Sequence, residues 1–194
     1  MNRRKFLAYS LSFICSTLVP LELLKCKTSY AASNIASPPI QETYLQFAMP
    51  LSIRTSTNMI ILHHIGDTNR DFSAGEIHKW HLANGWAGIG YHYVIRKDGT
   101  IERGRPKNSI GAHCYGYNKT SIGINIVGDF ETSEPTSAQM ASVLSLTAFL
   151  CQSYQITPSS QTILGHRDLN TTLCPGKNFY AKIPDLRTSL NTML

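Results

Sequence analysis

The chain has 194 residues, enough for one domain with a sizeable core, and its formal charge of +6 rests on 18 basic and 12 acidic residues. Five of the basic residues (Arg3, Arg4, Lys5, Lys25, Lys27) and one acidic residue (Glu22) fall in positions 1–32, leaving 13 basic against 11 acidic residues, net +2, for the remainder. A nearly neutral body carries no charge footprint for nucleic acid, which is bound by neutralising several phosphates, so no nucleic-acid partner is expected.

Arg3-Arg4-Lys5 precedes the apolar run Phe6 to Leu24, and the small-residue stretch Ser29-Tyr30-Ala31-Ala32-Ser33 follows. Basic, apolar, then small is the order of an export signal, with cleavage expected near Ala31 or Ala32. Pro20 and Glu22 shorten the apolar run below the roughly 20 residues of a spanning helix, so membrane contact is expected only through this segment. Asn2-Arg3-Arg4-Lys5-Phe6-Leu7 resembles a twin-arginine signal, with Asn2 in place of the usual small hydroxyl residue. Cys26 follows Lys25 rather than a small residue and does not fit a lipidation site. The protein is therefore expected outside the cytoplasm, periplasmic or extracellular. Residues 33–57, rich in Ser, Thr and Pro, read as a linker or extended arm lying over a domain that occupies 58–194.

Met59 to His63 is the first core strand, an apolar run closed by His63-His64. Ser73 followed by Glu76 is a capping box, opening a helix that carries Ile77, Trp80, His81 and Asn84 and stops at Gly85. His78 and His81 on it read as packing residues. Gly90 to Arg103 is a hairpin turned at Asp98-Gly99, and Ile110 to Asn118 is a loop holding His113. Ser121 to Gly128 is a strand alternating Gly and Asn with Ile and Val. Thr136 with Gln139 starts a second helix whose face of Met140, Val143, Leu144, Thr147 and Cys151 is core. Thr162 to Gly165 is a short strand delivering His166, and Phe179 to Leu190 is a terminal helix interrupted or kinked at Pro184. This order predicts a single α/β domain with a central mixed sheet flanked by helices.

The chemistry concentrates in Gly165-His166-Arg167-Asp168-Leu169-Asn170-Thr171-Thr172-Leu173-Cys174-Pro175-Gly176. Imidazole nitrogen and thiolate sulfur suit a borderline-soft ion such as zinc, and His166 and Cys174 lie on one loop ending in a Pro-Gly turn. The third donor is expected from His63-His64. Two histidines and a cysteine leave the fourth position of a tetrahedral ion open, the pattern of a catalytic zinc hydrolase.

Residues 58–180 resemble the zinc-dependent N-acetylmuramoyl-L-alanine amidases, the family that includes the amidase lysozyme of a T-odd phage and the animal peptidoglycan recognition proteins. The resemblance rests on Ile61-Leu62-His63-His64, Glu76-Ile77 with Trp80-His81, Gly85-Trp86, Gly90-Tyr91-His92-Tyr93 and Asp98-Gly99-Thr100. It continues through His113 with Gly116-Tyr117-Asn118, Ser121-Ile122-Gly123, and Gly165-His166-Arg167-Asp168 with Cys174-Pro175. It implies the peptidoglycan recognition protein/amidase type 2 fold, Zn2+ as cofactor with His63, His166 and Cys174 as metal ligands, and His64 turned to the opposite face. It implies Tyr91 as the active-site tyrosine beside the attacking water and the oxyanion, and places Thr172 where the phage enzyme has a lysine and many recognition-protein amidases have threonine. His113 and Asn118 match positions near the substrate groove and are expected to bind substrate; Arg167 and Asp168 are expected to brace the loop, with Asp168 also able to orient a ligand histidine.

The expected reaction is hydrolysis of the amide between the lactyl group of N-acetylmuramic acid and L-alanine, with peptidoglycan as partner and a monomer as the working form. The alternatives are a non-catalytic peptidoglycan-binding module, or a hydrolase of another cell-wall amide. With Cys174 on a metal, Cys114 and Cys151 are left either to pair in an oxidising compartment or to stand as a free thiol and a core residue.

Overall fold

In the computed structural model the described residues run from 34 to 194, Asp67 excepted; the expected export signal at 1–32 lies outside them. The elements follow in order β1 (Ile40–Gln41), β2 (Met59–His64), α1 (Ala74–Ala83), β3 (Tyr93–Ile95), β4 (Ile101–Arg103), β5 (Ser121–Ile126), α2 (Ser137–Tyr154) and β6 (Ile163–Gly165). A 3-10 turn (His166–Asp168), α3 (Lys177–Tyr180) and α4 (Ile183–Met193) complete the chain. The six strands form one sheet in the order β1-β4-β3-β5-β2-β6, parallel throughout except for the β3/β4 hairpin. This is the mixed α/β sheet expected from the sequence. Among the described residues no helix is long and apolar enough to cross a membrane.

Both capping boxes form. The Ser73 hydroxyl accepts from the Glu76 amide and Thr136 from Gln139, while Glu76 and Gln139 return the bond to the cap amides. These bonds satisfy donors that a helix start leaves open, fixing where α1 and α2 begin.

β2 and β5 divide their side chains between two faces. Ile60, Leu62, Ile122, Ile124 and Ile126 join Val143, Leu146, Leu150, Phe179 and Leu190 in the larger apolar layer, under α2 and α4. The other face carries a smaller cluster of Phe72, Ala74, Ile77, Ile89, Val94 and Val127 around α1. On that face His63 of β2 lies beside Asn125 of β5 in the parallel register, at the carboxyl ends of both strands. In open α/β sheets this end is where ligands gather.

One segment differs from the sequence expectation. The arm does more than lie over the domain. Ile40–Gln41 adds a parallel edge strand to β4, Ile53 bridges to Ser109, and Leu45 and Phe47 pack on the smaller cluster. Arg54 is buried, its guanidinium donating to the Ser109 carbonyl at 2.9 Å. Short polar stretches hid this because their pairing is to distant strands. The terminal helix is interrupted and not kinked: the chain turns between α3 and α4, two residues ahead of Pro184, which sits in the first turn of α4, where a missing amide proton breaks no bond.

His92 is fully buried; its Nδ1 accepts from the Gly123 amide at 3.1 Å, and burial pushes its pKa down to about 3. A histidine that stays neutral when folded adds stability above its ordinary value near 6.5. That stability is lost as pH falls below it, because the unfolded chain takes a proton that the folded chain refuses. The urea midpoint of the metal-free protein is therefore expected to fall from pH 7 to pH 5. His92 alone contributes about 1.4 kcal/mol per pH unit below about 6.5. An unchanged midpoint over that range contradicts it.

Candidate metal centre

His63, His166 and Cys174 converge from three segments: the end of β2, the residue following β6, and the loop that the 3-10 turn opens. One donor atom from each lies within 4.8 Å of the others, and among the described residues no other group of three His, Cys, Asp or Glu does so. Cys174 Sγ is 3.6 Å from His63 Nδ1, and the His63 and His166 ring centroids are 4.6 Å apart. His64 turns to the other face, where its Nδ1 accepts from the Phe130 amide at 3.1 Å. Its backbone amide still serves the site, donating to Cys174 Sγ at 3.4 Å.

The loop is braced from outside. Arg167 pairs with Glu131 at 2.9 Å and donates to the Leu173 carbonyl, while its own amide donates to the Cys174 carbonyl at 2.8 Å. Asp168 accepts from the Gly165 amide at 2.9 Å and from the Tyr180 hydroxyl at 2.5 Å. Both residues thus hold the loop, but Asp168 is hydrogen-bonded to neither histidine. The partner of His166 is instead Asn170, whose Oδ1 meets Nε2 at 3.1 Å. Asn170 stands four residues after His166, one helical turn on, and that spacing is the sequence signal for the pair.

Burial pushes the His63 pKa well below its ordinary value, with His166 and His64 adding to the effect, and burial lowers that of His166 as well. Both rings are neutral at pH 7 and so offer lone pairs. Burial raises the Cys174 thiol to about 12, against the opposing His64 amide and Arg167. A cation would displace its proton. Two imidazoles and one sulfur are borderline-soft donors, and their convergence fits a tetrahedral ion with one open position.

The Tyr91 ring lies 5.1 Å from His63. Its phenol is held protonated, first by burial and then by the nearby Cys174, with Asn125 approaching it. Thr172 Oγ1 accepts from the Cys174 amide at 3.2 Å, which leaves its hydroxyl proton free. A groove of about 690 Å³ opens beside these groups, walled by Trp86, His113, Tyr115, His166, Asn170 and Thr172. Asn118 also touches the groove, but its Oδ1 accepts from the amides of His113 and Cys114 at 2.8 and 3.0 Å, so it shapes the loop. His113 reaches the groove wall with both ring nitrogens engaged.

His78 and His81 accept from the amides of Ile89 and Gly90, a packing role. The three cysteines among the described residues are free thiols, so the Cys114–Cys151 pair does not form. Cys151 lies in the core and Cys114 donates to Asn170 Oδ1 at 3.2 Å.

A family model described as N-acetylmuramoyl-L-alanine amidase matches residues 54–177. The endolysin of Klebsiella phage KP32 is 34% identical over 128 residues, covering 63% of this chain and 82% of that protein. Peptidoglycan-recognition protein SC2 of Drosophila simulans is 32% identical over 176 residues, covering 87% of this chain and 89% of that protein. Among solved structures, the endolysin N-acetylmuramoyl-L-alanine amidase LysCS from Clostridium intestinale superposes with a TM-score of 0.73. It is 39% identical and covers 81% of this chain and 98% of its own.

Proposed function

The chain belongs to the N-acetylmuramoyl-L-alanine amidase family, and on that premise we propose that it hydrolyses the amide joining the lactyl group of N-acetylmuramic acid to L-alanine in peptidoglycan, using zinc held by His63, His166 and Cys174. The observation that carries this reading is the convergence of those three donors at the edge of an open groove. A zinc ion supplies a Lewis acid for the carbonyl and lowers the pKa of water to about 7.

The chain's own residues do the rest. His63 and His166, neutral through burial, present lone pairs, and the thiol of Cys174 gives up its proton on binding. Tyr91 keeps its phenolic proton and donates it as a hydrogen bond to the oxyanion that develops at the scissile carbonyl. Thr172, its oxygen already accepting from Cys174, turns its hydroxyl proton towards the same charge without the full charge of a lysine. Trp86 and Tyr115, 45% and 90% exposed, give the groove an aromatic rim against which the glycopeptide lies. Residues 1–32 act as the export signal that brings the enzyme to the polymer, 33–57 as the arm, and 58–194 as the amidase domain, which works as a monomer.

The test is the release of free L-alanine amino groups from purified sacculi, with chelator and after zinc is restored. Release that chelator stops and zinc recovers is expected. Binding to sacculi without zinc-dependent release identifies a binding module, and new termini at another amide identify a different hydrolase.

A further inference from the structure

Beside the three donors on this face of the sheet, His113 is closely confined. Its ring lies over Gly123 of β5 and beside Gly111. A Cβ at Gly123 would stand 2.5 Å from the His113 Cγ, and one at Gly111 2.5 Å from its Cδ2. Any larger residue at either position would displace the ring. The two bonds to Asn118 fix the backbone that carries it.

Both ring nitrogens have partners: Nδ1 is 3.0 Å from His63 Nε2, and Nε2 is 3.4 Å from Ser121 Oγ. The far end of this chain of contacts sets the direction of every proton in it. The Ser121 hydroxyl donates to the Tyr117 carbonyl at 2.8 Å, and a carbonyl can only accept. Ser121 oxygen is then left to accept from His113, which must carry its hydrogen on Nε2. A neutral imidazole of that form offers a lone pair at Nδ1, so His63 donates to it from Nε2. The remaining lone pair of His63 sits on Nδ1, the nitrogen 3.6 Å from Cys174 Sγ. His166 has the matching arrangement, with Nε2 facing the Asn170 oxygen.

We propose that His113 is a positioning residue which, through the Tyr117–Ser121–His113 relay, holds His63 in the tautomer and ring orientation that present Nδ1 to the metal. It neither binds the ion nor reacts with substrate. The inference rests on the proposed ligand set of His63, His166 and Cys174.

The experiment compares wild type, His113→Phe, His113→Asn and Cys174→Ser in two measurements. Zinc affinity is read by chelator competition, and histidine tautomers are read in the metal-free protein by long-range proton–nitrogen correlation spectra. Wild type is expected to show both His63 and His113 with hydrogen on Nε2. His113→Phe fills the cradle without an acceptor, and should weaken zinc binding about 10- to 100-fold and mix the tautomers of His63. His113→Asn, whose Oδ1 stands near the lost Nδ1, should recover most of that affinity. Cys174→Ser should lose more affinity while leaving the His63 tautomer unchanged. Wild-type affinity in His113→Phe, with affinity lost in Cys174→Ser, overturns the inference and leaves the proposed ligands standing. His63 carrying its hydrogen on Nδ1 in the wild type also overturns it. Wild-type affinity in Cys174→Ser removes the ligand set, and the inference with it. Should His113→Phe fail to fold, the wild-type tautomers and the His113→Asn affinity decide.

Discussion

Cys174→Ser is expected to lose zinc and activity together while keeping its fold. The sulfur is one of the three donors of the proposed metal site, and a hydroxyl is a far weaker and less acidic ligand than a thiol. The loss in affinity should exceed the about 10- to 100-fold typical of removing an outer partner. The surrounding structure does not depend on the thiol. The larger apolar layer is formed by β2, β5, α2 and α4, and the loop is held by Arg167 with Glu131 and by Asp168 with Tyr180. Metal content by atomic absorption, circular dichroism and sacculus hydrolysis check the three parts. A variant that keeps its zinc removes Cys174 from the ligand set; one that loses its zinc and stays active breaks the link between metal and catalysis.

Tyr91→Phe is expected to separate what Cys174→Ser removes at once. The phenol lies outside the proposed ligand set of His63, His166 and Cys174, so zinc content should remain at the wild-type level. Its loss takes one hydrogen bond from the oxyanion in a buried setting, where removing one such donor lowers kcat about 10²- to 10³-fold. KM should change little, since the bond strengthens only as charge develops. Equal kcat in the two proteins would reduce Tyr91 to a wall of the groove, and a matching loss of zinc would make it structural.

The sequence made the scaffold legible wherever the signal was local. The Ser73/Glu76 and Thr136/Gln139 boxes, the Asp98-Gly99 turn and the apolar run ahead of His63 each fix an element through neighbours a few residues away. His63, His166 and Cys174 were legible because few other residues offer those donors next to strand ends. The polar partners that brace the site were not. Asn170 against His166, Ser121 against His113 and Glu131 against Arg167 depend on loops meeting in space. The edge strand at Ile40–Gln41 escaped for the same reason, since two residues pairing with β4 leave no periodicity to read.

The alternation along β5 carries a consequence for how the chain finds its native state. Slipping β5 by one position against β2 would swing Ile122, Ile124 and Ile126 into the space above His113, and push the Asn125 amide and the Ser121 hydroxyl beneath α2. Ser121, whose hydroxyl donates to the Tyr117 carbonyl in the native register, would find no such acceptor in that apolar layer, and a misaligned chain would bear its desolvation cost. The polar side of β5 thereby also proofreads strand pairing, so a molecule whose sheet has zipped up wrongly is penalised before it can persist as a folded but inert species.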